Sequence, residues 1–169
     1  MITTNSAGFV VNSQLTGSFE NTIMRIDYQL QLDHHWNTLS VIANSRHAEH
    51  TNAISFTGDG LGNWKFNGKP VPEFDGCIDV DISVTPFTNS LPVNRLKLNI
   101  SEHRQIKVLY INLPKEELHV MEQRYTRLSQ FDYLYQNVQS NFEAKISIDN
   151  NGLVINYPGI FERMSIEDF

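Results

Sequence analysis

Apolar and polar residues alternate along four separate segments of this chain, and no other feature constrains its fold as strongly. The segments are residues 22–32, 77–85, 95–100 and 142–148. A period of two places the apolar side chains on one face of a β-strand and the polar side chains on the other. Turn-forming dipeptides lie at residues 59–60, 67–68 and 151–152, and Asn67-Gly68 predicts a tight hairpin. We therefore predict an all-β fold: a sandwich, a barrel or a roll.

One segment carries a different pattern. Its apolar residues at helical spacing are Leu118, Met121, Tyr125 and Leu128. Pro114 suits the start of a helix, and two glutamates follow it at the positions of a first turn. These residues alone predict a helix over residues 115–129, in conflict with the strand-rich remainder.

Length and composition indicate one folded domain over residues 1–169, with 40% hydrophobic and 19% charged residues. The net charge of -6 argues against a nucleic-acid partner, which needs a basic face. The longest apolar run, residues 108–111, is too short to span a bilayer. The first 19 residues lack the basic start and apolar centre of a secretory signal, so we expect a cytoplasmic location. The oligomeric state is left open.

Asp79 and Asp81 are the most polar part of a predicted strand. They lie two residues apart, so their side chains share one face, with α-carbons about 7 Å apart. Two carboxyls this close raise each other's pKa unless a cation lies between them, and Arg95 and Arg124 are the candidate cations. The pair fits acid–base catalysis, as in glycosidases, or an Asp–Arg network that holds strands in register. We favour the structural network, because ion pairs perturb pKa values without catalysis.

The segment that follows is rich in prolines and hydroxyl groups. Pro86 and Pro92 predict a stiff loop or an edge rather than a central strand. The side chains of Thr88 and Asn89 are able to hydrogen-bond the hydroxyls of a sugar, but more often such groups bond their own backbone in a turn. We favour the turn and keep the sugar contact as the alternative.

The sequence contains no convincing catalytic or metal centre. His47 and His50 lack further ligands at metal spacing, and we interpret residues 44–52 as a solvated loop. Neither a Gly-x-Ser-x-Gly elbow nor a phosphate-binding glycine loop occurs. Cys77 is the single cysteine and is expected in the core. We therefore expect no catalytic residue, no metal and no cofactor.

Seven aromatic residues stand beside polar residues in alternating segments: Trp64, Phe66, Tyr110, Tyr125, Tyr133, Tyr135 and Tyr157. Aromatic side chains in that setting either line a cavity, where they contact sugar or lipid, or fill a small β core. The sequence leaves both interpretations open.

Taken together, several segments resemble a bacterial all-β family, the "Putative glycolipid-binding" family. The resemblance is carried by residues 32–36, 58–64, 77–81, 85–92, 95–96, 114, 123–126, 152–154 and 157–161. Residues 58–64 are similar to the family's Asp-Gly-x-Gly-x-Trp hairpin, and residues 77–96 to its most distinctive block. The resemblance implies a spiral β-roll of many strands, similar in shape to bacterial lipoprotein carriers. It also implies strands over residues 115–129, and we adopt strands there.

The combined hypothesis is a non-catalytic binding protein whose curved sheet holds an amphipathic small molecule, a glycolipid by the family's name. The candidate ligand-binding residues are Asp79, Asp81, Thr85, Thr88, Asn89, Arg95, Arg124, Tyr125, Tyr157 and Trp64. Two alternatives stay open: an enzyme that acts on carbohydrate or lipid through Asp79 and Asp81, and a scaffold or oligomerisation module without a small ligand. A deep cavity favours the binding protein, and an unpaired carboxyl with a raised pKa in that cavity favours the enzyme.

Overall fold

The structure is a computed structural model, and it describes residues 1–165 of the chain. Within these residues the chain forms fourteen strands and three short helices. Strands make up 58% and helices 8%, so the predicted all-β class is confirmed. The longest described helix has seven residues, and none in this part of the chain is long and apolar enough to cross a membrane.

The first sheet is antiparallel and joins its strands in sequence order. Its strands are β1 (Ile2–Asn5), β2 (Gly8–Phe19), β3 (Thr22–Leu32), β4 (Thr38–His47), β5 (His50–Gly58), β6 (Trp64–Phe66) and β7 (Lys69–Pro70). In β3 every second residue from Met24 to Leu32 is buried, as the alternation predicts. The predicted Asn67-Gly68 turn joins β6 to β7, and both residues have positive φ.

The second sheet is mixed, because β8 pairs in parallel with β9 whereas the other pairs are antiparallel. Its strands are β8 (Asp79–Ile82), β9 (His103–Asn112), β10 (Glu117–Arg127), β11 (Asp132–Asn137), β12 (Phe142–Ile148), β13 (Val154–Tyr157) and β14 (Phe161–Glu162). The helices are a 3₁₀ helix (Pro72–Phe74), a second 3₁₀ helix (Pro86–Asn89), called the connecting helix below, and α1 (Ser90–Leu96).

The two faces of the second sheet belong to different cores. The residues of β8 and β9 that join the larger core with the first sheet are Val80, Ile82, Leu109 and Ile111. The opposite face, called the inner face below, carries Asp79, Asp81 and Tyr125. Val93 of α1 and Leu98 pack with tyrosines of β10, β11 and β13 in the second core. The second sheet therefore curls around α1.

The predicted strand over residues 95–100 is wrong. Arg95 and Leu96 end α1, and Lys97 adopts a left-handed φ of 47° that terminates the helix. The short alternation is misleading because its apolar residues do not share one buried face. Leu98 is buried, whereas Ile100 is 61% exposed.

Two other segments also differ from expectation. The proline-rich segment forms the connecting helix and α1 instead of a loop. Pro86 takes the first helical position, where its missing N–H is not needed, and the Thr85 hydroxyl accepts a hydrogen bond from Phe87 N. Residues 44–52 form the hairpin of β4 and β5 rather than a solvated loop, with Ala48 at positive φ in its turn.

Residues 115–129 contain β10, so the helix predicted from residue spacing is wrong and the strand implied by the family resemblance is confirmed. β10 lies between β9 and β11 and pairs with both. Met121, Gln123 and Tyr125 are buried, whereas Glu122 and Arg124 between them are half-buried. Strand pairing on both sides outweighs the local helical spacing.

We predict that Gly8→Ala destabilises the protein far more than Gly68→Ala. Gly8 opens β2 at a φ of 142°, and a β-carbon there would overlap the Leu32 carbonyl oxygen. Gly68 has a φ of 77° but open space around it. We expect a loss of about 3 kcal/mol or more for Gly8→Ala, from overpacking plus backbone strain, and about 1 kcal/mol for Gly68→Ala, from strain alone. Denaturant melts measure both, and equal losses would contradict this packing of β2 on β3.

Candidate functional site

A buried ion pair joins β8 to α1. Asp79 is fully buried, and Arg95 donates to its two carboxylate oxygens, from Nη2 to Oδ2 over 2.6 Å and from Nε to Oδ1 over 3.0 Å. This forked geometry is the stronger form of a charged hydrogen bond. Arg95 is one of the two cations that the sequence predicts for the aspartate pair. Arg95 thus occupies both oxygens of the Asp79 carboxylate and ties α1 to β8.

Asp81 lies on the same inner face but has different partners. Gln123 Nε2 donates to its Oδ2 over 2.6 Å, and the Thr88 hydroxyl donates to its Oδ1 over 3.0 Å. The chain of bonds continues, because Tyr125 donates to Gln123 Oε1 and Asn89 donates to the Tyr125 hydroxyl. Within residues 1–165, no basic side chain pairs with Asp81.

This difference in partners affects how the two carboxyls hold a proton. Burial raises the pKa of the Asp79 carboxyl, and the Arg95 guanidinium offsets part of that rise. Burial also raises the pKa of the Asp81 carboxyl, but there only the uncharged donors Gln123 and Thr88 oppose it. Asp81 is therefore the carboxyl of this pair that is better suited to exchange a proton with a ligand.

Four aromatic residues lie on the inner face and are called the aromatic cluster below: Tyr110, Tyr135, Phe142 and Tyr157. The Phe142 ring lies 6.2 Å from that of Tyr135 and 6.4 Å from that of Tyr157, centroid to centroid. Burial, followed by the negative charge of Asp81, raises the pKa of each tyrosine in the cluster. All three hydroxyls are thus close enough to Asp81 to sense its charge.

An apolar groove of about 410 Å³ lies between β13 and β14 of the second sheet and the first strands of the first sheet. Its apolar walls include Val11, Phe87, Ile155 and Phe161, and Asn12, Ser13, Glu162 and Arg163 add polar groups. Thr85 lines it as well, and its hydroxyl bonds to that of Tyr28 over 3.2 Å. A volume of this size is within the usual range for small-molecule sites.

The connecting helix separates this groove from the inner face. Pro86 and Phe87 line the groove. The next two residues, Thr88 and Asn89, are buried and bond to Asp81 and Tyr125. One short helix therefore contributes an apolar side to the groove and a polar side to the hydrogen-bond network.

Two residues predicted to bind ligand lie elsewhere. Arg124 is on the opposite face of β10 from Tyr125, where its Nη2 donates to Gln105. It contacts neither aspartate. Trp64 is buried in the core of the first sheet, and its Nε1 donates to the Cys77 carbonyl oxygen over 2.6 Å. Of the eight other predicted residues, Thr85 lines the groove and the remainder lie on or against the inner face.

The sequence did not single out Gln123 and Phe142 as candidates, and it left open whether Tyr135 lines a cavity or fills the core. Gln123 was detectable in principle, because it lies two residues before Tyr125 and therefore on the same strand face. Tyr135 faces Tyr125 across the β10–β11 pair, a register that no short-range signal specifies.

Within the described residues there is no group of three or more His, Cys, Asp or Glu side chains placed to hold a metal ion.

Comparison with known proteins agrees with this architecture. The family model described as "Putative glycolipid-binding" matches residues 1–163, so the chain belongs to that family. A search of curated proteins finds no match.

A solved structure is also similar: the 1.80 Å crystal structure of a DUF1089 family protein from Pseudomonas aeruginosa. The two proteins share 35% sequence identity and superpose with a TM-score of 0.91. The match covers 97% of this chain and 90% of the other.

We predict that Asp79→Asn destabilises the fold more than Asp81→Asn. Asp79→Asn leaves the Arg95 guanidinium, whose side chain is 14% exposed, without its counter-charge, which costs about 3–5 kcal/mol. Asp81→Asn removes no counter-charge and disturbs two hydrogen bonds, with a loss of about 1–2 kcal/mol at acidic pH.

The pH dependence gives this prediction a second readout. A carboxyl with a raised pKa contributes stability fully below its unfolded pKa and loses it as pH rises through the higher folded pKa. The stability advantage of the wild type over Asp81→Asn should therefore shrink as pH rises through that window. Denaturant melts at several pH values measure both effects, and a larger or pH-independent loss for Asp81→Asn contradicts the assignment.

Proposed function

We propose that this protein binds an amphipathic small molecule of the glycolipid type without catalysis, and that the groove between the sheets receives the apolar part of that ligand. The observation that carries the proposal is the groove itself: about 410 Å³, with apolar walls and polar groups among its lining residues. Ligand pockets are mostly apolar with a few placed polar groups, which matches this lining. Each buried methylene of an alkyl chain contributes roughly 0.8 kcal/mol.

The groove also distinguishes this proposal from a scaffold without a small ligand. The two cores of the molecule are filled by buried side chains, and α1 occupies the space inside the second sheet. We therefore propose the groove for an acyl chain, whereas the hypothesis drawn from the sequence put the ligand on the curved sheet.

We predict that Ile155→Glu weakens binding of a dansyl-labelled fatty acid at least tenfold. Ile155 is half-buried in the groove, and a carboxylate there opposes an alkyl chain because its own hydration is lost. The matched control is Leu61→Glu, at a residue that is 76% exposed and outside the groove. Fluorescence titration, followed by displacement with octyl glucoside below its micelle concentration, measures both variants. Failure of the wild type to bind the probe, or equal loss in both variants, would refute the proposal.

One observation favours a second candidate, an enzyme that acts on carbohydrate or lipid. Asp81 has a raised pKa and, within residues 1–165, no basic partner, which suits a general acid. Against it, Arg95 holds Asp79, so the second carboxylate of a glycosidase pair is not free. Hydrolysis of chromogenic glycosides or esters that Asp81→Asn abolishes, with probe binding retained, would assign the enzyme instead.

A further inference from the structure

We propose that the inner face carries a second binding site, separate from the groove, in which the aromatic cluster and Asp81 hold the ring of a neutral sugar. This inference rests on the proposed function, because it assigns the polar half of the same class of ligand. It differs from that function in place and in chemistry, since the groove takes an alkyl chain and this site takes a hydroxylated ring.

The stacking surface of this site is Phe142. Its side chain is 42% exposed, although Tyr135 and Tyr157 behind it are 5% and 7% exposed. The two tyrosine rings, themselves 6.0 Å apart, both pack against the Phe142 ring. An exposed aromatic ring held in place by buried rings is a rigid platform, and the C–H face of a pyranose packs on such a platform.

The hydroxyl-binding groups lie beside the platform. The hydroxyls of Tyr135 and Tyr157 make no hydrogen bond to another of residues 1–165. Neither hydroxyl oxygen is completely shielded from solvent. Both hydroxyls therefore reach solvent from largely buried rings. The pKa of each is raised by burial and by the nearby charge of Asp81, so both stay protonated and are able to donate and accept.

Asp81 completes the set of polar groups. It is half-buried, and its two oxygens accept one hydrogen bond each from the protein. A carboxylate oxygen accepts more than one hydrogen bond, so each oxygen retains capacity for a ligand hydroxyl.

Two arginines on or against the inner face are already paired within the protein. Arg95 is committed to Asp79. Arg127, on the inner face of β10, donates to the carbonyl oxygens of Leu98, Ser129 and Gln130. Neither guanidinium is free to pair with an anionic ligand, and the groups that remain, the tyrosine hydroxyls and the Asp81 carboxyl, carry no positive charge. A sugar without carboxylate or phosphate is the chemistry that these groups accept.

The test uses methyl glycosides of glucose, mannose and galactose, which lack an alkyl chain and so do not depend on the groove. Saturation-transfer difference NMR and chemical-shift titration of the wild type should detect at least one of them with a dissociation constant of order 1–10 mM, a free energy near 3–4 kcal/mol. Phe142→Ala should weaken that binding at least tenfold, and Tyr157→Phe about threefold, because it removes only a hydroxyl. Ile155→Glu should leave it unchanged.

The matched control is Phe131→Ala, since Phe131 is 40% exposed but lies outside the aromatic cluster. Binding of none of the glycosides to the wild type overturns the inference, as does equal weakening by Phe131→Ala or tighter binding of methyl glucuronide than of methyl glucoside. Failure of the groove alone has a different signature: the fatty-acid probe does not bind, whereas the glycosides do.

Discussion

A carboxylate without solvent contact needs a counter-charge, and in this protein the Arg95 guanidinium supplies it to Asp79. Because Arg95 lies in the last turn of α1, the ion pair fixes this seven-residue helix against β8. A helix this short is not stable alone, so its position depends on such tertiary contacts. α1 then places Val93 against the tyrosines of the inner face, and the connecting helix, which runs directly into α1, is positioned with it.

The connecting helix divides the molecule into two environments of opposite polarity. Phe87 faces the apolar groove, whereas Asn89 bonds to the buried Tyr125 hydroxyl. An amphipathic ligand needs both environments, and a β-sheet alone offers them only on its two opposite faces. In this fold a four-residue helix between the sheets places them side by side. That arrangement is why the groove and the inner face are assigned different parts of the same ligand class.

Local patterns predicted those parts of the structure that local chemistry determines. The alternations over residues 22–32 and 142–148 coincide with β3 and β12, and Asn67-Gly68 forms its hairpin, because side-chain period and turn geometry act within a few residues. The ion pair between Asp79 and Arg95 was predictable as one of two choices. The groove was not, since Val11 and Ile155 meet there only through the packing of two sheets. The alternation at residues 95–100 wrongly predicted a strand, because no local signal shows that Leu98 is buried whereas Ile100 is exposed.

The most direct test of the central claim, that the groove receives the apolar part of an amphipathic ligand, is a crystal structure of the protein grown with octyl glucoside. The account predicts electron density for the alkyl chain in the groove, in contact with Val11, Ile155 and Phe161. An alkyl chain ordered on the inner face against Tyr135, with the groove occupied only by solvent, would contradict it.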